Sequence, residues 1–437
     1  MINITKDTQF PTVSNVIGIL NSYNQLMPVL LDFDKIHQYI SWFSLEIDNI
    51  GKPLFETLKG VRGRDTVSSL LTIWLKQRGE DISVFNRTKT GFSLDKDSIK
   101  KAIESGRLSE EAVTVLGLAQ TYNNYVKTRK TLISFLQFPV IGAKSFDGHR
   151  MIAVRPKWRG QNTNRVAMYE PAFQNLNREM QDIFTCPEGW IRIHCDSGQI
   201  EPRTIYSSYL PDPQIQALIN LYGDAYFGIL HYCTMPLSHI ADKRLTFEKM
   251  DTEKYKKDRQ LIKTYGNAVM YGSTSNPGKD PIKQAMIDRI GKHPIRLQWI
   301  EQCKEQIERG NYIFKTYFGT PIDISKSDKL VNYEYATQED LNYELLKLAI
   351  NNPIQGTAAD LMRLSVVEAY KLLSREGKDS VISMYIHDAG VFHVHENDYD
   401  KIGDRLKDIV AYNVEGWIPI KADSKVGRDD GLFPDLY

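Results

Sequence analysis

Residues 191–203 read IRIHCDSGQIEPR, and the use made of one side chain in that stretch, Asp196, decides how the chain is read. Ile191, Ile193 and Cys195 alternate with polar residues as on a half-buried strand, which stops at Asp196. Taken alone, Asp196 is a strand-ending residue that caps the helix opened by GQIEPR. A second carboxylate in a matching place gives it another use. Residues 381–395, VISMYIHDAGVFHVH, read as a hairpin: two alternating apolar runs flank a turn holding Asp388, Ala389 and Gly390. A lone Asp in a hairpin turn is ordinary. Two strand-end carboxylates brought side by side by pairing of distant strands repel each other and ask for a cation. Asp oxygens with few other ligands suit Mg²⁺, which keeps waters and substrate phosphates in its shell. Two such ions about 4 Å apart form a clamp for in-line phosphoryl transfer.

Further along, DRQLIKTYGNAVMYGS places Arg259, Lys263, Asn267 and Tyr271 at every fourth position, so they line one helix face over about 18 Å. That face offers a guanidinium fork, a point charge, an amide and a ring, the order of phosphates, sugar and base in a nucleoside triphosphate. The alternative is a solvated basic helix, against which stand the apolar Val269 and Met270 and the Tyr271–Gly272 step. In NNPIQGTAADLMR, Pro353 is expected near a helix start, and Gly356, Thr357, Ala358 and Ala359 are small enough for close helix packing. Asn351 and Gln355 flank that start with amides that suit the degenerate acceptors of a duplex minor groove. GSTSNPGKD resembles a phosphate-binding loop only superficially: five residues separate its glycines, and Asp280 stands where Ser or Thr is required.

The 437 residues suffice for two or three lobes with sizeable cores, and their ordinary apolar and charged fractions mark a globular chain rather than a disordered or fibrous one. No apolar run approaches the roughly 20 residues that span a bilayer, and MINITKDTQF has neither a basic start nor an apolar core, so no membrane association is expected and the cytoplasm is the expected location. Cys186, Cys195, Cys233 and Cys303 lack CxxC spacing and are expected as reduced, mostly buried thiols. The net charge of +1 decides nothing about a polyanion partner, which is read from local clusters. KTRK at 127–130, RPKWRG at 155–160 and KYKKDRQLIK at 254–263 are such clusters, although solvated faces produce them too.

The first third reads mainly as helix, in VLLDFDKIHQYISWFSLEIDNI, TVSSLLTIWLKQRG, SLDKDSIKKAIESG and SEEAVTVLGLAQTYNNYVKTRKTLISFL, ending near residue 140. Short β-type segments follow to about residue 200, helices return to about 350 with a break at NPGKDP, and the end runs helix, hairpin, helix and a β-type close. The class is α+β, without internal repeats, low-complexity stretches or a Pro-rich linker.

These residues resemble the family A DNA polymerases, the bacterial polymerase I type. DSGQIEPR is similar to that family's motif A (D-Y-S-Q-I-E-L-R), RQLIKTYGNAVMYG to motif B (R-x3-K-x7-Y-G) and HDAGVF to motif C (H-D-E-L-V-F). NNPIQGTAAD resembles N-A-P-M-Q-G-T-A-A-D, RVAMYEPAFQN resembles R-L-S-S-T-x-P-N-L-Q-N, and NRTKTGFSLDKDSI resembles the thumb segment K-T-K-T-G-Y-S-T. The matches keep the family's order over about residues 30–430.

The resemblance implies a right-hand fold: an N-terminal segment and helical thumb over 1–145, an antiparallel-sheet palm over 146–205 and 350–437, and helical fingers over 206–349. It casts Asp196 and Asp388 as metal-binding carboxylates for two Mg²⁺ ions, with Mn²⁺ as an alternative and the Ser197 carbonyl as a further ligand. Arg259 and Lys263 would bind the triphosphate, Lys263 also protonating pyrophosphate, and Gln199 and Asn267 would join the nucleotide site. Tyr271 and Glu201 would close around the sugar, Glu201 blocking a ribose 2′-OH. Arg165, Gln174, Asn175, Asn351, Gln355 and His387 would position primer and minor groove. The implied activity is template-directed addition of dNTPs to a primer 3′-OH; the implied partners are primer–template DNA and dNTPs, with room for replication accessory proteins. Too few residues precede the thumb for a proofreading nuclease, so no 3′–5′ exonuclease is expected, and a chain this small fits a phage or plasmid replication enzyme.

Four residues depart from the family pattern. Ala389 replaces a Glu, removing a third nearby carboxylate; Asn267 stands for Phe or Tyr; Tyr226 stands for a His; Lys347 stands for an Arg. The rival readings are a single-subunit RNA polymerase or primer-making enzyme, against which Glu201 argues, and a catalytically silent nucleic-acid-binding subunit, against which the two Asp and the Arg259/Lys263 pair argue.

Overall fold

The computed structural model describes the chain except residues 6, 27–28, 62–65, 86, 89–90, 93, 95, 138–142, 147–148, 155–156, 171–172, 174–177, 187–188, 235–252, 272–279, 328–329, 331–337, 378, 387 and 428–437. It forms two compact units. One comprises residues 1–29, 156–169 and 186–437, the other residues 30–155 and 170–185.

The first unit is built on a four-stranded antiparallel sheet in the order Val381–Ile386, Ala389–His395, Trp190–Ser197, Ala422–Gly427. The expected hairpin supplies the first two strands. The opening stretch is the third strand, held between the hairpin and the C-terminal strand. Its odd positions, Ile191, Ile193, Cys195 and Ser197, are buried. On that side Ser197 donates from its hydroxyl to Val410 O at 2.7 Å, just beyond the helix Glu396–Ile409. The four cysteines are unbridged and buried. Burial pushes the thiols of Cys195, Cys233 and Cys303 up to about 12.

The N-terminal residues, grouped by the sequence with the helical lobe, pack in this unit instead. Ile2–Ile4 pairs in parallel with Tyr412–Val414, and the helix Val13–Leu26 lies against Val381–Ile386 and the helix Gln338–Glu376. Between the opening strand and the long helix, a helical region closes around Tyr206, Ile219, Tyr222, Val269 and Met286. Two of its helices start on Asp-Pro: Asp212 accepts from Gln214 N and Ile215 N, and Asp280 from Ile282 N and Lys283 N. A small hairpin, Ile313–Lys315 with Pro321–Asp323, interrupts this region and had no clear alternation in sequence.

Pro353 does not start a helix. It lies inside one of 39 residues, Gln338–Glu376. A proline there leaves the carbonyl four residues earlier without its usual donor. Cys303 Sγ lies 3.9 Å from that oxygen, Ala349 O, and Thr357 Oγ1 bonds Pro353 O at 2.8 Å. Gly356 allows the close packing expected of it: an added Cβ would sit 2.5 Å from Ile322 Cδ1, 2.8 Å from Thr316 Cγ2 and 3.4 Å from Thr163 O.

In the second unit the helices Phe33–Thr57 and Glu110–Gln137 pack lengthwise, joined by Val67–Gln77 and Lys96–Glu104 around Leu54, Leu71, Trp74, Leu75 and Leu116. The sequence expects helix from Val29, but Val29–Asp32 is a strand whose Leu30 and Leu31 pair with Thr185 and Phe184. The helix begins only at Phe33, where Asp32 caps it by accepting from Lys35 N at 2.9 Å. Among the described residues no helix is long and apolar enough to cross a membrane.

Candidate active site

Asp196 is not a helix cap. The cap position of Ile200–Thr204 belongs to Gln199, whose side chain makes no capping bond. Register decides where Asp196 stands: its partner across the hairpin strand is Ala389, and Ser197 N donates to Asp388 O at 2.9 Å. The strand end and the hairpin turn are therefore bonded neighbours, which brings Asp196 and Asp388 to the same end of the sheet. On the other side the register partner of Asp196 is Asp423. Directly opposed residues of antiparallel strands share a face, with Cβ atoms about 5 Å apart. Asp423 is thus a further carboxylate on the face of Asp196, contributed by the C-terminal strand. ADSKVG carries no motif that would have flagged it.

These donors fit a hard divalent cation: carboxylate oxygens at adjoining strand ends, beside a main-chain turn. Among the described residues no three His, Cys, Asp or Glu side chains gather tightly enough to hold a metal unaided. Waters and substrate oxygens would have to complete the shell, as suits Mg²⁺. Since the Ser197 hydroxyl is committed to Val410 O, a ligand from that residue would be its carbonyl.

The chain leaves the strand through Gly198, whose N donates to Lys421 O at 2.7 Å, and through Gln199 in the left-handed region at φ 57°. This turn aims Glu201 back across the site. Glu201 Oε1 accepts from Arg165 Nη2 at 2.6 Å, and Oε2 from Tyr271 Oη at 3.1 Å. Arg165 is steadied from below by the long helix: buried Arg363 donates to Asn164 O and Pro11 O, each at 2.8 Å, and pairs with Asp360. Burial, followed by the charge of Glu201, raises the Tyr271 hydroxyl well above its ordinary range.

The helix carrying Arg259 is less regular than its spacing implies. Glu253–Leu261 is α-helical, Ile262–Gly266 is a π-turn and Asn267–Met270 resumes the helix. A wider turn breaks the strict four-residue face. Arg259, Asn267 and Tyr271 still converge on neighbouring partners, while Lys263 is exposed. Arg259 pairs with Asp224 at 2.7 Å and lies over the Tyr226 ring at 5.1 Å. The Asn267 amide lies near the Tyr226 hydroxyl, which burial and then Glu201 push up to about 12. Two of the departures from the family pattern are therefore neighbours. Gln199, expected at the nucleotide, spends its amide on Asp224 and on Ala225 N, each at 2.6 Å. Asp224 escaped the sequence reading because an Asp opening a helix looks like a cap, which it also is.

Asn351 and Gln355 sit mid-helix and line a cavity of about 460 Å³ with Arg159, Asn162, Thr163 and Lys326. Asn351 Oδ1 and Asn162 Nδ2 are buried without hydrogen-bond partners among the described residues. They are an acceptor and a donor in one polar hollow. Lys347 is paired with Glu344 at 2.7 Å. Gln174, Asn175, His387 and most of GSTSNPGKD lie outside the described residues.

The model of DNA polymerase family A matches residues 64–431. DNA polymerase I, thermostable, of Thermus filiformis is 25% identical over 282 residues, 61% of this chain and 31% of that protein. DNA polymerase I of Chloroflexus aurantiacus is 20% identical over 428 residues, 94% of this chain and 42% of that protein. The chain thus spans about a third to two fifths of the length of these curated relatives. A solved structure, the POL domain of Pol1 from M. smegmatis in complex with DNA primer-template and dNTP, is similar with a TM-score of 0.69 at 17% identity, covering 96% of this chain and 70% of that one. That likeness shows the right-hand polymerase fold expected from the sequence.

Proposed function

The chain belongs to DNA polymerase family A, and from that membership we propose that it is a template-directed DNA polymerase that adds dNTPs to a primer 3′-OH by two-metal phosphoryl transfer. The observation that carries this reading is the register Asp196↔Ala389, which sets Asp196 beside Asp388 at one sheet end. Glu201, Arg259 and Tyr271 lie in the same compact unit. In this reading the thumb is the helical part of residues 1–145, of which residues 1–29 pack in the sheet unit, residues 146–205 and 350–437 form the palm, and residues 206–349 the fingers.

Asp196 and Asp388, with the Ser197 carbonyl, would hold Mg²⁺, or Mn²⁺ in its place. When bound there, the ions would activate the primer hydroxyl and neutralise charge on the leaving group. The chain's own groups do the rest. Arg259, fixed by Asp224 and stacked on Tyr226, would take triphosphate oxygens. Lys263, exposed one turn later, would stabilise and protonate departing pyrophosphate. Glu201, tied to Arg165 and Tyr271, would wall off the sugar edge where a ribose carries its 2′-OH. Asn351, Gln355 and Asn162 would meet the minor groove from their polar hollow, with Arg165, Gln174, Asn175 and His387 toward the primer.

Primer extension on a DNA template, run in parallel with dNTPs and rNTPs, tests the reading. Template-directed extension with dNTPs is expected; extension with rNTPs alone would replace the DNA reading by the RNA-polymerase one, and none with either would leave a binding subunit.

A further inference from the structure

We propose that Asp224 is a positioning residue that sets the triphosphate affinity of the site by holding the Arg259 guanidinium in place, with Gln199 as its tie to the carboxylate strand. The inference rests on the triphosphate reading of Arg259. The Asp224 carboxylate is engaged on both oxygens. Its Oδ2 accepts from Arg259 Nη2 at 2.7 Å and Nε at 3.1 Å, and from Gln199 Nε2 at 2.6 Å. Its Oδ1 accepts from Phe227 N at 2.9 Å, and Gln199 Oε1 accepts from Ala225 N at 2.6 Å. One edge of the guanidinium is thus fixed by charge-assisted bonds. Its plane is fixed as well, because the carbon of the fork lies 5.1 Å from the Tyr226 ring centre and 5.7 Å from that of Phe227.

What this leaves unfixed is the Nη1 corner, on a side chain that remains 29% exposed. An arginine already held in one rotamer gives up less freedom when an anion arrives, so the ligand gains affinity from the restraint. The restraint reaches the metal-site strand through Gln199. That residue follows Asp196 by three positions and holds a left-handed backbone, φ 57° and ψ 43°, which a side chain with a Cβ rarely adopts. Its amide, bonded at both ends, keeps the turn in that state. One carboxylate therefore joins the turn behind Asp196 to the cation that faces the triphosphate.

Two effects of Asp224 oppose each other. Its negative charge disfavours an anionic ligand, whereas its hold on Arg259 favours one. The charge is already matched by the guanidinium it binds, so the hold prevails and its loss weakens binding.

The test is equilibrium binding of the templated dNTP, with Mg²⁺, to the whole chain on a chain-terminated primer–template. Asp224→Asn, nearly isosteric, is expected to weaken dNTP binding at least fivefold. Asp224→Ser still caps the helix but does not reach Arg259, and is expected to lose as much. Arg259→Ala loses more. The double variant Asp224→Asn with Arg259→Ala binds no worse than Arg259→Ala alone, since Asp224 acts through that side chain. In steady state the Asp224 variants raise KM for dNTP with kcat within about twofold of wild type, a split that general loosening of the fold does not produce. Additive losses in the cycle, unchanged binding or tighter binding would each overturn the proposal. If wild type binds dNTP yet extends no primer, the polymerase reading fails while the cycle still decides the role of Asp224.

Discussion

Truncating Glu201 to Ala should open the site to ribonucleotides. In the folded chain the carboxylate accepts from Arg165 at 2.6 Å and from Tyr271 at 3.1 Å, and both members of the Arg165–Glu201 pair are about a quarter exposed. A 2′-OH arriving against it must displace at least one of these bonds. Hydrogen bonds to a charged group contribute about 1.5–3 kcal/mol, and partial exposure argues for the lower end. Discrimination of at least about tenfold follows, since roughly 1.4 kcal/mol is one decade in rate. The Ala variant removes the wall, so the ratio of dNTP to rNTP incorporation should fall by at least that factor. Glu201→Gln keeps the volume and an acceptor for Tyr271 but breaks the pair with Arg165, and should fall between. The assay is single-nucleotide addition with matched dNTP and rNTP concentrations. A ratio unchanged in Glu201→Ala refutes the reasoning, and a wild type that accepts both sugars equally favours the RNA-polymerase rival.

Asp196→Asn or Asp388→Asn should abolish nucleotide addition while leaving primer–template binding within a few fold, because metal ligation and duplex contacts use different groups; extension near the wild-type rate would sink the assignment. Gly356→Ala should destabilise the fold by about 1 kcal/mol. The helix gain of up to roughly 1 kcal/mol is outweighed by about 1–3 kcal/mol of overpacking. Thr316 cannot swing its methyl away, since its hydroxyl is bonded to Asp360 at 2.6 Å; a urea midpoint that rises would refute this. Acid should weaken the fold through His194 and His393, which burial, with help from Arg192, pushes down to about 4 and about 3. Both pKa values lie below that of the unfolded chain, so from about pH 6.5 downwards the unfolded state binds protons that the folded state refuses. Stability therefore falls as pH drops toward about 4, by about 3 kcal/mol for each histidine. His393→Gln should flatten that decline in unfolding curves recorded between those pH values, and an unaltered slope would exclude the residue.

Several features were determined by the sequence alone because their signals are local. The periodicity of TVSSLLTIWLKQRG and of SEEAVTVLGLAQTYNNYVKTRKTLISFL marks two helices, and the apolar alternation around Asp388 marks the hairpin. The ordered motifs around Asp196, Arg259 and Asp388 identify the family. Periodicity and capping depend on neighbours a few residues away, so they survive without knowledge of the fold. Partnership across the chain does not. That Asp196 pairs with Ala389 on one side and Asp423 on the other is set by strand register, where a one-residue slip would turn every side chain to the opposite face. That Val29–Asp32 is strand rather than helix follows from Phe184 and Thr185 being there to pair with it. Pro353 lies within a helix where the carbonyl it leaves without a donor, Ala349 O, meets Cys303 Sγ from a distant helix. The hold of Asp224 on Arg259 arises the same way. Each joins residues that carry no shared pattern in the sequence, since burial and hydrogen-bond satisfaction are settled only when distant elements have packed.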